Sequence, residues 1–353
     1  VDLVRLQPRP LTLYTSRGRT VLATHLDGQV RPDRDIGLFV CETRLLSRYE
    51  YRIDGLPLEP SALSNVEQHT WLGYYFTAAP AAAAVDRGPG SGMPTRATED
   101  TLELRVFRRV GEGLHEDLQL TNFSREASSF VLTLCLEADF ADYVESGGDR
   151  QQTGQCVASW DAAARSLTFS YRASVDKRDD RGPASFSSSL TIRVNESPAP
   201  ARWNGRALGF PLTLAPGAAA SVCLTFLAVV QDSPLEPPAG CNGRGEHAAF
   251  DGRTAVFLEH AARIGDRPSP PAGERVLDTL GQARDDLAAL RLFDLDHDAG
   301  AWIPAAGLPV YVALFGRDSL TTAWQSAILG PEMMKGTLLE LSRWVGRTDD
   351  PWR

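Results

Sequence analysis

Phe315-Gly316-Arg317-Asp318-Ser319 sets a guanidinium beside a carboxylate just ahead of an apolar-striped segment, with Trp302 and Tyr311 a short way upstream. Sugar recognition needs fixed polar donors and acceptors for hydroxyls and flat apolar faces for the C–H side of the ring. An Arg-Asp pair flanked by Trp302, Tyr311 and Phe315 supplies both, so these five are the candidate substrate-binding residues. Each has a plainer reading. Asp318 lies where a helix could begin, and aspartate is a favoured N-cap that accepts backbone N–H bonds. The three aromatics could equally be core packing.

Other chemistry is poorly supported. Asp294, Asp296 and Asp298 imitate the start of a calcium loop, but Ala299 stands where that loop requires glycine and Ala305 where it requires glutamate. They read as a polar loop, and no metal site or cofactor is assigned. His25, His69, His115, His247, His260 and His297 are scattered and read as surface or incidental residues. Gly88-Pro89-Gly90 and Gly147-Gly148 read as turns, because neither joins a strand to a helix as a phosphate loop does. No G-x-S-x-G nucleophile elbow is found.

The elements that must position the candidate residues come in two styles. Leu102, Leu104 and Val106 alternate with other residues, as do Leu118 and Leu120, Phe130 to Leu136, and Leu167, Phe169 and Tyr171. A period of two puts such side chains on one face of a half-buried strand. Short polar or glycine-rich gaps between the runs suggest an antiparallel sandwich over residues 1–265. Residues 78–94 and 233–245 read as irregular excursions. Asp266 to Gly273, DRPSPPAG, reads as a linker.

Beyond it the period lengthens. Val276, Leu280, Ala283, Leu287 and Leu290 form one helical stripe. A second helix is expected from about Ser319 with Leu320, Ala323, Trp324, Ala327 and Ile328 on one side. A third is expected to carry Met334, Leu338, Leu341 and Val345, closed by Gly346. Apolar stripes must be buried against something, so residues 274–353 are expected to open a larger helical domain.

Composition narrows the partners. The 353 residues carry 36 basic and 45 acidic side chains, a net charge of −9, with no basic stripe of the kind nucleic acid requires. A neutral or polar small molecule is favoured over nucleic acid or an anionic membrane. Runs such as Leu224 to Val230 are far short of the roughly 18 apolar residues of a membrane span. The five cysteines are odd in number, irregularly spaced and without a C-x-x-C pair, so free thiols in a reducing compartment are expected. Val1 to Leu13 lack the apolar core of a signal peptide. The chain starts at valine and is read as a cut piece.

Two stretches resemble a known family. Gly37-Leu38-Phe39-Val40-Cys41-Glu42-Thr43-Arg44-Leu45-Leu46-Ser47-Arg48-Tyr49 resembles a strand-and-turn pattern near the start of the glycogen debranching enzyme N-terminal domain. Ala306 to Leu320, with Phe315-Gly316-Arg317-Asp318-Ser319-Leu320 at its end, is similar to a segment of bacterial amylo-α-1,6-glucosidase-like proteins. The order of sandwich, linker, helix and this motif matches that family. Val310 replaces the family's tryptophan and Glu42 its aspartate.

The resemblance implies a mainly β chain, a large antiparallel β-sandwich followed by the first helices of an α/α barrel of six-hairpin glycosidase type. It implies an inverting glycoside hydrolase of the debranching type acting on an α-glucan or oligosaccharide, located in the cytoplasm. It also implies a general acid and base downstream of Arg353, so these 353 residues alone are expected to be inactive. The alternative is a non-catalytic β-sandwich that binds glucan or serves as a scaffold.

Overall fold

The computed structural model describes residues 12–78, 101–142, 144–148, 150, 154–175, 184–230, 233–235, 248–263, 271–298 and 300–346. The chain divides into two compact units, one of Val1–Ser16 with Thr20–Gly245 and one of Arg17–Arg19 with Glu246–Arg353.

The first unit is a two-sheet sandwich. One sheet is built from β1 (Thr12–Arg17), β2 (Thr20–His25), β3 (Gly37–Val40), β4 (Thr43–Ile53), β10 (Ser128–Ala141), β15 (Ala207–Leu214) and β14 (Arg202–Trp203), in that spatial order, with β5 (Leu56–Pro57) added to β4. The other runs β11 (Gly154–Asp161), β12 (Ser166–Val175), β13 (Ala184–Glu196), β16 (Ala219–Val230), β9 (Gly113–Asn122), β8 (Thr101–Gly111), β7 (Thr70–Ala78) and β6 (Glu59–Glu67). The short β17 (Ser233–Leu235) pairs with β16. Neighbours such as β8 and β9, or β10 and β15, are antiparallel.

Period-two alternation explains this core. Leu102, Leu104, Val106, Leu118, Leu120, Phe130, Leu132, Leu134, Leu167, Phe169 and Tyr171 all join one buried cluster between the sheets. The Gly37–Tyr49 segment forms β3, a two-residue turn and β4, with Val40 opposite Thr43. Cys41 and Glu42 both have positive φ, 47° and 63°, the sign that a tight type I′ hairpin demands at both central positions.

The core contains one polar exception. Arg108 on β8 and Glu116 on β9 face each other in register and are 1% and 0% exposed. Arg108 Nε donates to Glu116 Oε1 at 2.7 Å, and its Nη1 donates to the carbonyl of Gly28 at 2.7 Å. From the other sheet, Tyr49 and Tyr51 on β4 donate their hydroxyls to the same carboxylate. The guanidinium also lies over the Trp71 ring, 4.5 Å from its centroid. A buried charge is tolerated only when paired and hydrogen-bonded, and this pair is both. Gly28 has φ of 75°, and a Cβ there would fall 2.4 Å from the Trp71 ring, so both backbone and space require glycine. Burial is the main cause that pushes the Tyr49, Tyr51 and Tyr75 hydroxyls above the usual tyrosine range.

The second unit is helical: α1 (Ala248–His260), α2 (Pro271–Ala289), α3 (Gly316–Gln325) and α4 (Glu332–Trp344). Its core joins Phe257, Ala261, Ala288, Trp302, Ala323 and Met333. The chain therefore leaves the sandwich unit at Gly245, before the expected boundary at residue 265, because Ala248–His260 is helical. Helix α2 also takes in Pro271 to Gly273, the last residues of the expected linker; residues 264–270 lie outside the described residues. Proline is well suited to a helix's first turn, where its missing N–H has no partner to lose. Residues 79–100 and 236–247, most of the two expected excursions, are likewise outside the described residues, while Ser233–Leu235 is strand.

Candidate functional site

Helix α3 begins at Gly316, earlier than the apolar pattern suggests. Its N-cap is Phe315, with extended backbone at φ −117° and ψ 115°, so Asp318 is the third helical residue and not the cap. There its negative charge lies in the first turn, where the helix dipole favours an anion. Arg317 turns back on it: Nε donates to Oδ1 at 3.3 Å and Nη2 to Oδ2 at 3.3 Å. The pair is open to solvent, with side-chain exposures of 87% and 41%. Such an exposed ion pair contributes little to stability, and both groups keep capacity for further hydrogen bonds. Five N–H donors on arginine and two carboxylate oxygens exceed what the pair uses on itself.

Tyr311 and Phe315 flank this turn. Their rings meet edge to face, centroids 5.7 Å apart at 82°, and both are exposed. A tight turn precedes them, with Gly307 and Tyr311 bridged by backbone and Pro309 inside the bend. The segment thus presents donors, acceptors and apolar ring surface within a few residues.

Trp302 does not belong to that surface. It is 0% exposed, with the Phe257 ring edge-on at 4.9 Å and the Arg291 guanidinium 5.2 Å from its centroid. With none of its surface open to solvent, the indole offers no platform to a sugar. Helix α4 seals it further: a Cβ on Gly336 would fall 2.3 Å from the Trp302 carbonyl oxygen. The reading of Trp302 as a sugar contact is therefore replaced by a core role.

The aspartate run is used structurally. Asp296 receives Arg291 Nε at 3.0 Å on Oδ1, and Arg253 Nη1 and Arg291 Nη2 on Oδ2, each at 2.9 Å. Asp298 accepts the backbone N–H of Gly300 at 2.7 Å. Two further readings are corrected. His115 is buried, 2% exposed, and not a surface histidine. Cys223 is disulfide-bonded, not a free thiol, whereas Cys135 and Cys156 carry free thiols. The pairing that brings His115 and Cys223 together joins strands 108 residues apart, which spacing alone does not reveal.

The N-terminal domain of (some) glycogen debranching enzymes matches residues 16–225, more than half of the chain. The chain belongs to this family. The family match covers the sandwich and stops short of Arg317 and Asp318. No curated protein sequence matches the chain. Among solved structures, a galactose mutarotase-like protein from Clostridium acetobutylicum is 8% identical, with a TM-score of 0.34 over 62% of this chain and 95% of its own. The Slr1438 protein from Synechocystis sp. PCC 6803 is 11% identical, with a TM-score of 0.34 over 65% of this chain and 100% of its own. Neither is similar enough to inform the site. Among the described residues, no helix is long and apolar enough to cross a membrane.

Proposed function

We propose that this chain is part of a cytoplasmic glycoside hydrolase of the debranching type, inverting in mechanism and acting on α-1,6-linked glucose. It supplies the sandwich and one wall of the sugar-binding mouth. Membership of the glycogen debranching family carries this reading. The exposed Arg317–Asp318 pair beside Tyr311 and Phe315 supports the local part of it.

In this reading Asp318 accepts hydrogen bonds from the hydroxyls of a terminal glucose, and Arg317 donates to the same ring. Tyr311 and Phe315 cover its apolar side. An inverting glycosidase also needs two carboxyl groups about 6.5–9.5 Å apart, one to protonate the leaving oxygen and one to activate water. No residue named here takes either role. A non-catalytic glucan-binding module remains the second reading, favoured by a family match confined to the sandwich.

Limit dextrin and isomaltose assays separate the two. The 353 residues alone are expected to release no glucose. A longer protein containing them should release glucose, first as the β-anomer, which nuclear magnetic resonance reads directly. Absence of glucose release from that longer protein would leave the binding-module reading.

A further inference from the structure

His115 and Asp117 are two residues apart on β9, and Glu116 between them faces the sandwich core. Strand alternation therefore turns both to the outer face of the nine-stranded sheet. Cys223 on β16 stands directly across from Asp117 in register. Three metal-ligating side chains thus meet on one face, brought there by strand pairing.

Their donor atoms converge. Asp117 Oδ1 is 3.3 Å from His115 Nε2, Cys223 Sγ is 3.8 Å from the same nitrogen, and all three atoms lie within 4.8 Å of one another. A tetrahedral zinc ion, with bonds of about 2.0–2.2 Å to N and O and about 2.3 Å to S, holds N and O about 3.4 Å apart and N and S about 3.6 Å apart. The two separations from His115 Nε2 come within roughly 0.2 Å of that geometry. Among the described residues His115 Nδ1 has no hydrogen-bond partner, and the ring's polar contacts run through Nε2 toward Asp117 and Cys223. Asn195, the extra residue of a bulge between Val194 and Glu196, donates to Cys223 Sγ at 3.4 Å and to Thr225 Oγ1 at 2.6 Å. Contacts of that kind orient a ligand sulfur. His115 and Cys223 are each 2% exposed, while the Asp117 side chain, at 22%, is the part of the cluster that solvent reaches.

Cys223 is disulfide-bonded in this structure, and a disulfide sulfur lacks the charge that makes thiolate a metal ligand. We propose that His115, Asp117 and Cys223 form a zinc-binding site that opens when this disulfide is reduced. A dithiol reductant supplies two electrons and two protons; the disulfide becomes two thiols and the dithiol becomes a disulfide. Zinc then displaces the Cys223 thiol proton to solvent and binds Nε2 of neutral His115, whose proton resides on Nδ1.

The test is zinc retention after dialysis, measured by elemental analysis on the reduced and the oxidised protein, with cobalt as a spectroscopic substitute. Reduced wild type should retain one zinc that the oxidised form lacks, with a thiolate-to-cobalt charge-transfer band. Cys223→Ser should lose that band, and His115→Ala and Asp117→Asn should weaken zinc binding roughly tenfold or more. Should His115→Ala fail to fold, the isosteric Asp117→Asn carries the test. Equal zinc in both redox states, no zinc in the reduced protein, or wild-type affinity in Cys223→Ser or Asp117→Asn would overturn the proposal.

Discussion

Arg108 and Glu116 form an ion pair between adjacent strands, 2.7 Å apart and closed to solvent, and two tyrosines from the opposite sheet bond to the same carboxylate. The sheets are therefore pinned by polar contacts as well as by apolar packing. Glu116→Gln leaves the guanidinium buried without a counter-charge, a loss expected to cost about 3–5 kcal/mol. Urea unfolding should show this, and a double Arg108→Met, Glu116→Leu variant should recover much of it, since apolar replacement of a buried pair is often neutral. A loss below about 1 kcal/mol in Glu116→Gln would mean water reaches the pair.

The tyrosines around that pair give the sandwich a defined alkaline limit. Burial raises the Tyr49, Tyr51 and Tyr75 hydroxyls above their ordinary value. A group raised on folding contributes stability that is fully present below its unfolded pKa, about 10 for tyrosine. That contribution is lost as pH climbs toward the folded value, because the unfolded chain gives up its protons first. Urea midpoints should fall steeply above about pH 10. Tyr51→Phe should be less stable at neutral pH but show a shallower alkaline fall.

Gly336 tests the packing of the helical unit. Any Cβ there would lie 2.3–2.5 Å from three backbone atoms of Trp302, none of which can swing aside. Gly336→Ala should therefore destabilise the helical unit despite alanine's better helix propensity, by about 1–3 kcal/mol as for other overpacked sites. Thermal unfolding followed by tryptophan fluorescence reads the change, and a rise in melting temperature would contradict the packing described.

How much the sequence disclosed depends on where the relevant contact lies. The strands of β8, β10 and β12 were legible because Leu102, Phe130 and Leu167 begin alternating runs whose apolar members are all buried. Helix α1 was not, because buried Phe257 and exposed Val256 are neighbours and no single apolar stripe marks the element. For α3 and α4 the helices form as the period predicts, but of the expected α3 stripe only Ala323 is buried, and no member of the expected α4 stripe is. The buried sets are Ser319, Ala323 and Ser326, and Met333, Gly336, Thr337 and Glu340, whereas Leu320, Trp324, Ile328 and Leu338 are exposed. Close approach at Trp302 selects small residues for the contact, which a hydrophobicity pattern cannot register. The same burial removed Trp302 from the candidate site, while Tyr311, Phe315, Arg317 and Asp318 share one exposed stretch.

Asp318 most directly tests the functional account. With Phe315 as the N-cap, Asp318→Ala should cost about 0.3–1 kcal/mol of stability through the helix dipole. A hydrogen bond to a charged group contributes roughly 1.5–3 kcal/mol, so sugar affinity should fall roughly 10- to 150-fold. The decisive measurement is a titration of isomaltose and limit dextrin into wild type and Asp318→Ala, at a temperature where both are folded. The account predicts saturable binding that weakens by at least about tenfold in the variant. Equal affinity in the two proteins would contradict it.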